Sequence, residues 1–324
     1  MAWWHMAMLG ALLVGVYENW PMPAMSPRLE TWVKSGEYFE FNGHKIFFKA
    51  QAGTYKQPRV VVLCHGFPSF SYDWYKVWDS LLENFSHVVA LDFIGFGYSD
   101  KPKDHNYTIV YQADIVEALL NKLNIKEAHL LGHDYGDTVV QELLSRYHER
   151  KMSKNTLKLK SICLSNGGVF PETNNPRPAQ KLLLMPYLGP VFARLANRFF
   201  FKKGFTEVFG PETSPSDEEL NDYWYALRFK DGYALGNSLL QYVPQRWANR
   251  ERWVGALQQT SLPVHMIFGP DDPVNQSPAF EKRFRELLPG ASLHVLPSHI
   301  SHYPQLEDPE GFMKSYIDFL GKLS

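Results

Sequence analysis

The sequence predicts an α/β fold: a mostly parallel eight-stranded sheet with helices on both faces and an inserted helical cap. Three observations carry that expectation. Short buried runs alternate with stretches whose apolar residues recur at helical spacing, the pattern of a doubly wound sheet. An antiparallel hairpin signal precedes the alternation. About a hundred residues between Ser165 and Val264 then hold no obvious sheet strand, too many for a loop in a compact domain.

Taken in order, the chain opens with an apolar stretch from Ala2 to Tyr17 that only His5 interrupts. It falls short of the roughly 20 residues that span a bilayer comfortably, yet it is too apolar for an ordinary surface helix. With no basic leading region and no clear cleavage site, residues 1–20 read first as an uncleaved membrane anchor, then as a signal peptide, then as a helix packed on the domain. Glu18, Arg28 and Lys34 leave its orientation open. Residues 21–36 read as a Pro-rich spacer. The core follows in two pieces, 37–169 and 246–324. Tyr38 to Phe41 and Lys45 to Lys49 flank Asn42-Gly43, a two-residue hairpin signal. Val60 to Cys64, Val88 to Asp92, Ala128 to His133, Lys160 to Ser165, Val264 to Phe268 and Ser292 to Leu296 read as buried strands, with helical patterns near 73–83, 109–122, 137–148, 278–287 and 310–321. The insertion at 170–245, entered through the Pro-rich run Pro171 to Pro178, reads as a cap over the C-terminal ends of the strands, where open α/β sheets bind ligands. A separate C-terminal domain fits less well, because the strands at 264 and 292 would have no sheet to join.

Composition narrows the function. With 324 residues, 45% of them hydrophobic and 21% charged, the chain can bury a substantial core. A formal net charge of −1 and the lack of a long basic run leave no footprint for nucleic acid, so a small apolar substrate is the expected partner. Cys64 and Cys163 lie in strands expected to have another strand between them, about two spacings of 4.8 Å apart, which excludes a disulfide. Sequons at Asn84, Asn106 and Asn275 matter only if the domain faces a lumen.

The chemistry centres on Gly132-His133-Asp134-Tyr135-Gly136, a strand-to-helix turn with aspartate where such elbows usually carry serine. The strained turn needs small neighbours two positions away, which Gly132 and Gly136 supply. The dipole of the following helix and nearby N–H groups favour the charged carboxylate. Such a group attacks carbon and forms an alkyl ester of the protein, a route suited to epoxides and alkyl halides rather than to acyl transfer. The plainer reading is a capping aspartate after a buried strand. Partners occur at later strand ends: Asp271 or Asp272 as orienting acid, and His299 or His302 as the base that activates water on the ester. An acidic turn and a pair of loop histidines are the ordinary readings of those segments. The spacing of the two histidines lacks the carboxylate or cysteine that a metal site needs. Cys64-His65-Gly66-Phe67-Pro68 follows another buried strand, where the N–H of Phe67, with that of Tyr135, would form an oxyanion hole. Asp92 to Ser99 lacks the third glycine of a nucleotide loop and reads as a buttress. No cofactor is expected.

His65-Gly66-Phe67-Pro68, Asp92 to Ser99, the pentapeptide, Asp272 and His302 together resemble the epoxide hydrolase and haloalkane dehalogenase branch of the α/β-hydrolase superfamily, over about residues 37–322. The family spacing favours Asp272 over Asp271 and His302 over His299. Leu91 to Pro102, His133 to Asp137, Cys163 to Thr173, Arg252 to Leu257 and His299 to Pro309 resemble one vertebrate subfamily more closely. Its members are described as endoplasmic-reticulum membrane proteins with an apolar N-terminus, which implies that location here. Dehalogenases in this branch hold the halide with a Trp after the nucleophile plus an Asn or second Trp; Tyr135 and Phe67 stand there instead, which disfavours halide chemistry. Epoxide hydrolases use cap tyrosines as donors to the ring oxygen. Tyr242 stands at a plausible position for one, with Tyr223, Tyr225 and Tyr233 as candidates for the other. The resemblance thus implies an epoxide hydrolase with an Asp134–His302–Asp272 triad. Lipid ester hydrolysis or acyl transfer, and a binding protein that keeps the fold, are the rival readings.

Overall fold

In a computed structural model, the described residues are 2–18, 24–150 and 157–323. Residues 19–23, which join the expected anchor to the expected spacer, lie outside them. Helix α1 (Ala2–Glu18) carries Trp3, Trp4, Met8 and Leu12 exposed, so over those residues it does not pack on the domain. No helix among the described residues is long and apolar enough to cross a membrane, so the expected transmembrane helix needs correction. The reason is length: 17 residues at about 1.5 Å each reach about 26 Å, short of a hydrocarbon layer of about 30 Å. The rest of the spacer is also corrected, because Pro27–Lys34 form helix α2. Its Ser26 cap accepts the N–H of Leu29 and Pro27 takes the first turn, where a missing N–H costs nothing.

Eight strands form one sheet in the order β1-β2-β4-β3-β5-β6-β7-β8. They are β1 (Glu37–Phe41), β2 (His44–Ala52), β3 (Val60–Cys64), β4 (His87–Leu91), β5 (Glu127–Gly132), β6 (Lys158–Ser165), β7 (Val264–Phe268) and β8 (Ser292–Val295). β2 runs antiparallel to β1 and β4, and the other pairs are parallel. Asn42 and Gly43 both take positive φ, 49° and 79°, as the hairpin turn requires.

Helices α3 (Trp78–Asn84), α4 (Ile109–Lys122) and α5 (Tyr135–Arg150) follow β3, β4 and β5. The first is shorter than its sequence pattern, because Ser71–Trp74 make a separate 3-10 turn. After β6 the chain leaves the sheet for α6 (Pro178–Leu183), α7 (Gly189–Arg194), α8 (Arg198–Thr206), α9 (Asp217–Arg228), α10 (Gly236–Leu239) and α11 (Tyr242–Ala248). The cap boundary read at 245 thus falls inside α11. Helix α12 (Arg250–Gln259) leads back to β7; α13 (Ala279–Leu287), then α14 (Pro304–Glu307) and α15 (Pro309–Gly321), complete the fold.

Because successive strand side chains point to opposite faces, the sheet makes two cores. Val62, Leu91 and Leu130 pack with Leu119 of α4, Val139 of α5, Leu257 of α12 and Phe284 of α13. Val61, Leu63 and Leu131 pack on the other side with Leu29 and Trp32 of α2, Leu81 of α3 and Phe312 and Tyr316 of α15. Each such side chain contributes about 1.5–3 kcal/mol by leaving water. The two cysteines are free and buried in β3 and β6, with β5 between them.

Candidate active site

Asp134 joins β5 to α5 with φ 49°, a left-handed backbone that a non-glycine residue adopts under constraint. Close packing supplies the constraint. A Cβ on Gly136 would stand 2.1 Å from the Cys64 carbonyl oxygen, and one on Gly132 2.6 Å from Asp137 Oδ1, so both positions exclude side chains. The N–H of Asp134 donates to the Ser165 carbonyl at 3.1 Å, which ties the elbow to β6. Asp134 is 3% exposed.

Asp272, after β7, and His302, after β8, reach the same point. His302 Nδ1 lies 2.9 Å from Asp272 Oδ2, and its Nε2 faces Asp134 Oδ2 at 3.6 Å. The second distance exceeds a hydrogen bond, so the ring is held by Asp272 and only faces Asp134. Asp272 also accepts from Val274 N–H at 2.7 Å, Asn166 Nδ2 at 3.0 Å and Asn275 Nδ2 at 3.1 Å. Burial alone would raise its carboxyl, but the charge of His302 and these donors outweigh it and hold the group below the usual range. For His302 burial works the other way, lowering the imidazolium, and Asp272, Asp134 and Glu307 overcome it to raise the ring to about 9. Asn275 is fully buried on Asp272, which removes it as a glycosylation site; Asn106 is exposed. Asp271 and His299 remain at the loop surface, and the structure assigns neither to this group.

The turn after β3 supplies the third wall. Phe67 N–H donates to Asp134 Oδ1 at 2.9 Å. His65 holds the turn: its Nε2 accepts the N–H of Phe93 at 3.0 Å and its Nδ1 lies 2.8 Å from the Gly66 carbonyl, which defines a neutral tautomer with the proton on Nδ1. Burial lowers this histidine to about 3, consistent with that neutral ring. Tyr135 opens α5, so its N–H has no acceptor in a preceding turn. Asp92 accepts the N–H groups of Ser71 and Tyr98, at 2.8 and 2.7 Å, which makes the segment after β4 a buttress.

Tyr242 of the cap is 2% exposed and its ring lies 4.8 Å from that of Tyr135 and 6.2 Å from that of Phe67. Burial first, and then the charge of Asp134, raise its phenol. Tyr223 donates to Asp73 Oδ1 at 3.0 Å. Asp73, raised to about 7 by burial, lies 3.9 Å from His133 Nδ1, so Tyr223 belongs to a polar layer behind the elbow. Tyr225 packs with the second core, and Tyr233 lies beneath Arg228 at 5.0 Å; the structure does not join either to the Asp134 group. Sequence reasoning missed Tyr303, whose hydroxyl donates to the Phe67 carbonyl at 3.3 Å, and Arg246, which donates to Thr138 Oγ1 at 2.8 Å and the Asp134 carbonyl at 3.2 Å. It also missed Asn166, although its position directly after β6 parallels that of Asp134 after β5. Among the described residues no group of His, Cys, Asp or Glu side chains is placed to hold a metal ion.

The family model for the alpha/beta hydrolase fold matches residues 59–309. The mesoderm-specific transcript homolog protein of Bos taurus is 49% identical over 322 residues, covering 98% of this chain and 96% of that protein. The putative hydrolase LipZ of Mycobacterium tuberculosis is 34% identical over 295 residues, 91% of this chain and 99% of that one. Among solved structures, the haloalkane dehalogenase DbeA from Bradyrhizobium elkani superposes with a TM-score of 0.74 over 89% of this chain and 98% of its own, at 22% identity, a likeness of fold. An eight-stranded sheet with this strand order, a family match across most of the chain and near-full-length relatives lead to one assignment: the chain belongs to the α/β-hydrolase fold family, beside the mesoderm-specific transcript proteins.

Proposed function

We propose that the protein is a hydrolase in which Asp134 attacks carbon, forming an alkyl ester that water then cleaves, with epoxide-like apolar or lipid-derived molecules as substrates. The observation that carries the proposal is the placement of one carboxylate between an N–H donor and an imidazole. Asp134 Oδ1 is held by Phe67 N–H at 2.9 Å, which leaves Oδ2 to attack. As the new C–O bond forms, the ring C–O bond breaks, and its electron pair takes a proton from the phenol of Tyr242. Water then adds to the ester carbonyl while His302 accepts its proton. The N–H groups of Phe67 and Tyr135 stabilise the oxyanion. Collapse returns the carboxylate, the remaining hydrogen of the added water passes to the leaving oxygen to release a diol, and His302 is left protonated as it began.

Electrostatics support the order of the steps. In the free protein two carboxylates and Glu307 keep His302 protonated to about pH 9. Esterification removes the charge of Asp134, so the ring gives up its proton more readily, returning it to the Tyr242 phenolate before water attacks. Halide chemistry is poorly supported, since the Tyr135 hydroxyl lies beside Gln112 in the core and Phe67 presents a hydrocarbon ring. Lipid esters suit a serine nucleophile better than a carboxylate. Exposed apolar side chains on α1 support attachment to a membrane, at the endoplasmic reticulum in this reading, without a full crossing.

The test is a single turnover of an epoxide in water enriched in oxygen-18, followed by mass spectrometry of the peptide containing Asp134. An attacking carboxylate acquires one heavy oxygen, whereas general-base attack by water leaves the peptide mass unchanged and overturns the proposal.

A further inference from the structure

The cap carries a surface that the chemistry above does not use. From residue 173 to 206 the sequence contains six cations, Arg177, Lys181, Arg194, Arg198, Lys202 and Lys203, and no acidic residue, in a chain whose net charge is −1. The same segment exposes large apolar side chains: Tyr187 is 90% exposed, Phe199 70% and Phe200 64%, with Leu188, Val191 and Leu195 more than half exposed. These residues are not poorly packed leftovers. Helix α8 turns Phe201 and Phe205 inward, their rings 5.5 Å from Trp224 and 4.8 Å from Tyr223, so it is anchored on α9 while Phe199 and Phe200 face out. Arg198 bonds Asn221 and Lys202 pairs with Asp217 at 2.7 Å, fixing the helix further. Lys181, Arg194 and Lys203 have no carboxylate partner among the described residues.

From this we infer that the α7–α8 ridge of the cap docks on the surface of a bilayer containing anionic phospholipid. Aromatic and aliphatic tips enter the acyl boundary, and the unpaired cations lie at the headgroups. A second feature ties the start of α2 to the cap beside this ridge. Ser26, at the start of α2, is bonded through N–H at 2.9 Å and hydroxyl at 2.6 Å to Asp222 of α9, next to the Asn221 that holds Arg198. The ridge holds the protein on the membrane surface without entering beyond the acyl boundary.

The buried state of Cys64 and Cys163 allows a site-specific test on the full chain. Phe199→Cys and, as a remote control, Lys314→Cys would each carry an environment-sensitive fluorophore. With phosphatidylcholine vesicles containing phosphatidylserine as the anionic lipid, the label at 199 should shift to the blue and brighten several-fold, while the label at 314 stays unchanged. Reversing Lys181, Arg194 and Lys203 to Glu should weaken partitioning onto these vesicles at least about tenfold, and added salt should do the same. Three results overturn the inference: vesicle-bound protein whose label at 199 remains in water, which assigns binding to α1 alone; charge reversals without effect; or brightening without vesicles that grows with protein concentration, which makes a second copy the occupant.

Discussion

The core wall of the cleft and its cap wall are built on different terms. On the core wall the polar groups sit at strand ends and are bonded several times over: Asp272 accepts from His302, Val274, Asn166 and Asn275, and the elbow is tied to β6. On the cap wall Tyr242 meets the site chiefly through ring contacts, and Arg246 reaches across to grip the Asp134 carbonyl. The core wall fixes atoms to within a hydrogen bond's tolerance, as bond making demands. The cap wall supplies shape and a phenol, properties that a helical insertion can vary without disturbing the sheet.

If that division holds, substitutions on the core wall should abolish chemistry and those on the cap should grade it. Asp134→Ala is expected to lower kcat by at least about ten-thousand-fold while the protein stays folded, measured as diol formation with circular dichroism as the check. His302→Gln should be as inactive in steady state, yet become alkylated: intact mass spectrometry should find an adduct equal to the epoxide's mass, and an unmodified protein would break the assigned roles.

Asp272→Asn should cost about a thousand- to ten-thousand-fold in kcat, by analogy with the loss of the orienting acid in other triads. It should also lower the imidazole titration of His302 from about 9, followed by NMR. Because that ring is raised above its ordinary value of about 6.5, its contribution to stability is complete below that pH and is lost as pH rises through about 9. Thermal melts across that interval should therefore fall in the native protein and flatten in the variant. Smallest of all, Tyr242→Phe should reduce kcat about ten- to a hundredfold with an unchanged melting temperature, whereas Tyr225→Phe and Tyr233→Phe should stay within about twofold. A large loss at Tyr225 or Tyr233 would place the proton donor elsewhere on the cap and sharpen the boundary between the two walls.

How far the sequence reached follows the range over which its signals act. The hairpin at Asn42-Gly43, the strands at 60–64 and 264–268 and helix 109–122 were legible because periodicity and turn chemistry are local. Helix α2 was not, since the proline-rich run around it outweighed the Ser26-Pro27 start signal. That Asp272 and His302 would meet beside Asp134 was legible from their place after two strands together with the family spacing. Asn166 was not, because its side chain bonds Gly269 and Asp272, 103 and 106 residues away, and Tyr303 acts on a carbonyl 236 residues distant. Periodicity could place the cap tyrosines on helices but could not say which side faced the elbow: Tyr223 and Tyr225 lie two positions apart on α9 and meet different neighbours.

The two thiols bear on how such a protein survives its own chemistry. A molecule electrophilic enough to be opened by a carboxylate also alkylates cysteine, and a thiol adduct has no carbonyl for water to attack, so each such encounter would be terminal. Cys64 and Cys163 are wholly enclosed, and burial raises both, keeping them protonated and unreactive. In the proposed reaction the carboxylate at the elbow is then the nucleophile whose adduct can be undone, and the number of turnovers before self-inactivation would follow how completely the sheet keeps those two strand residues from the substrate.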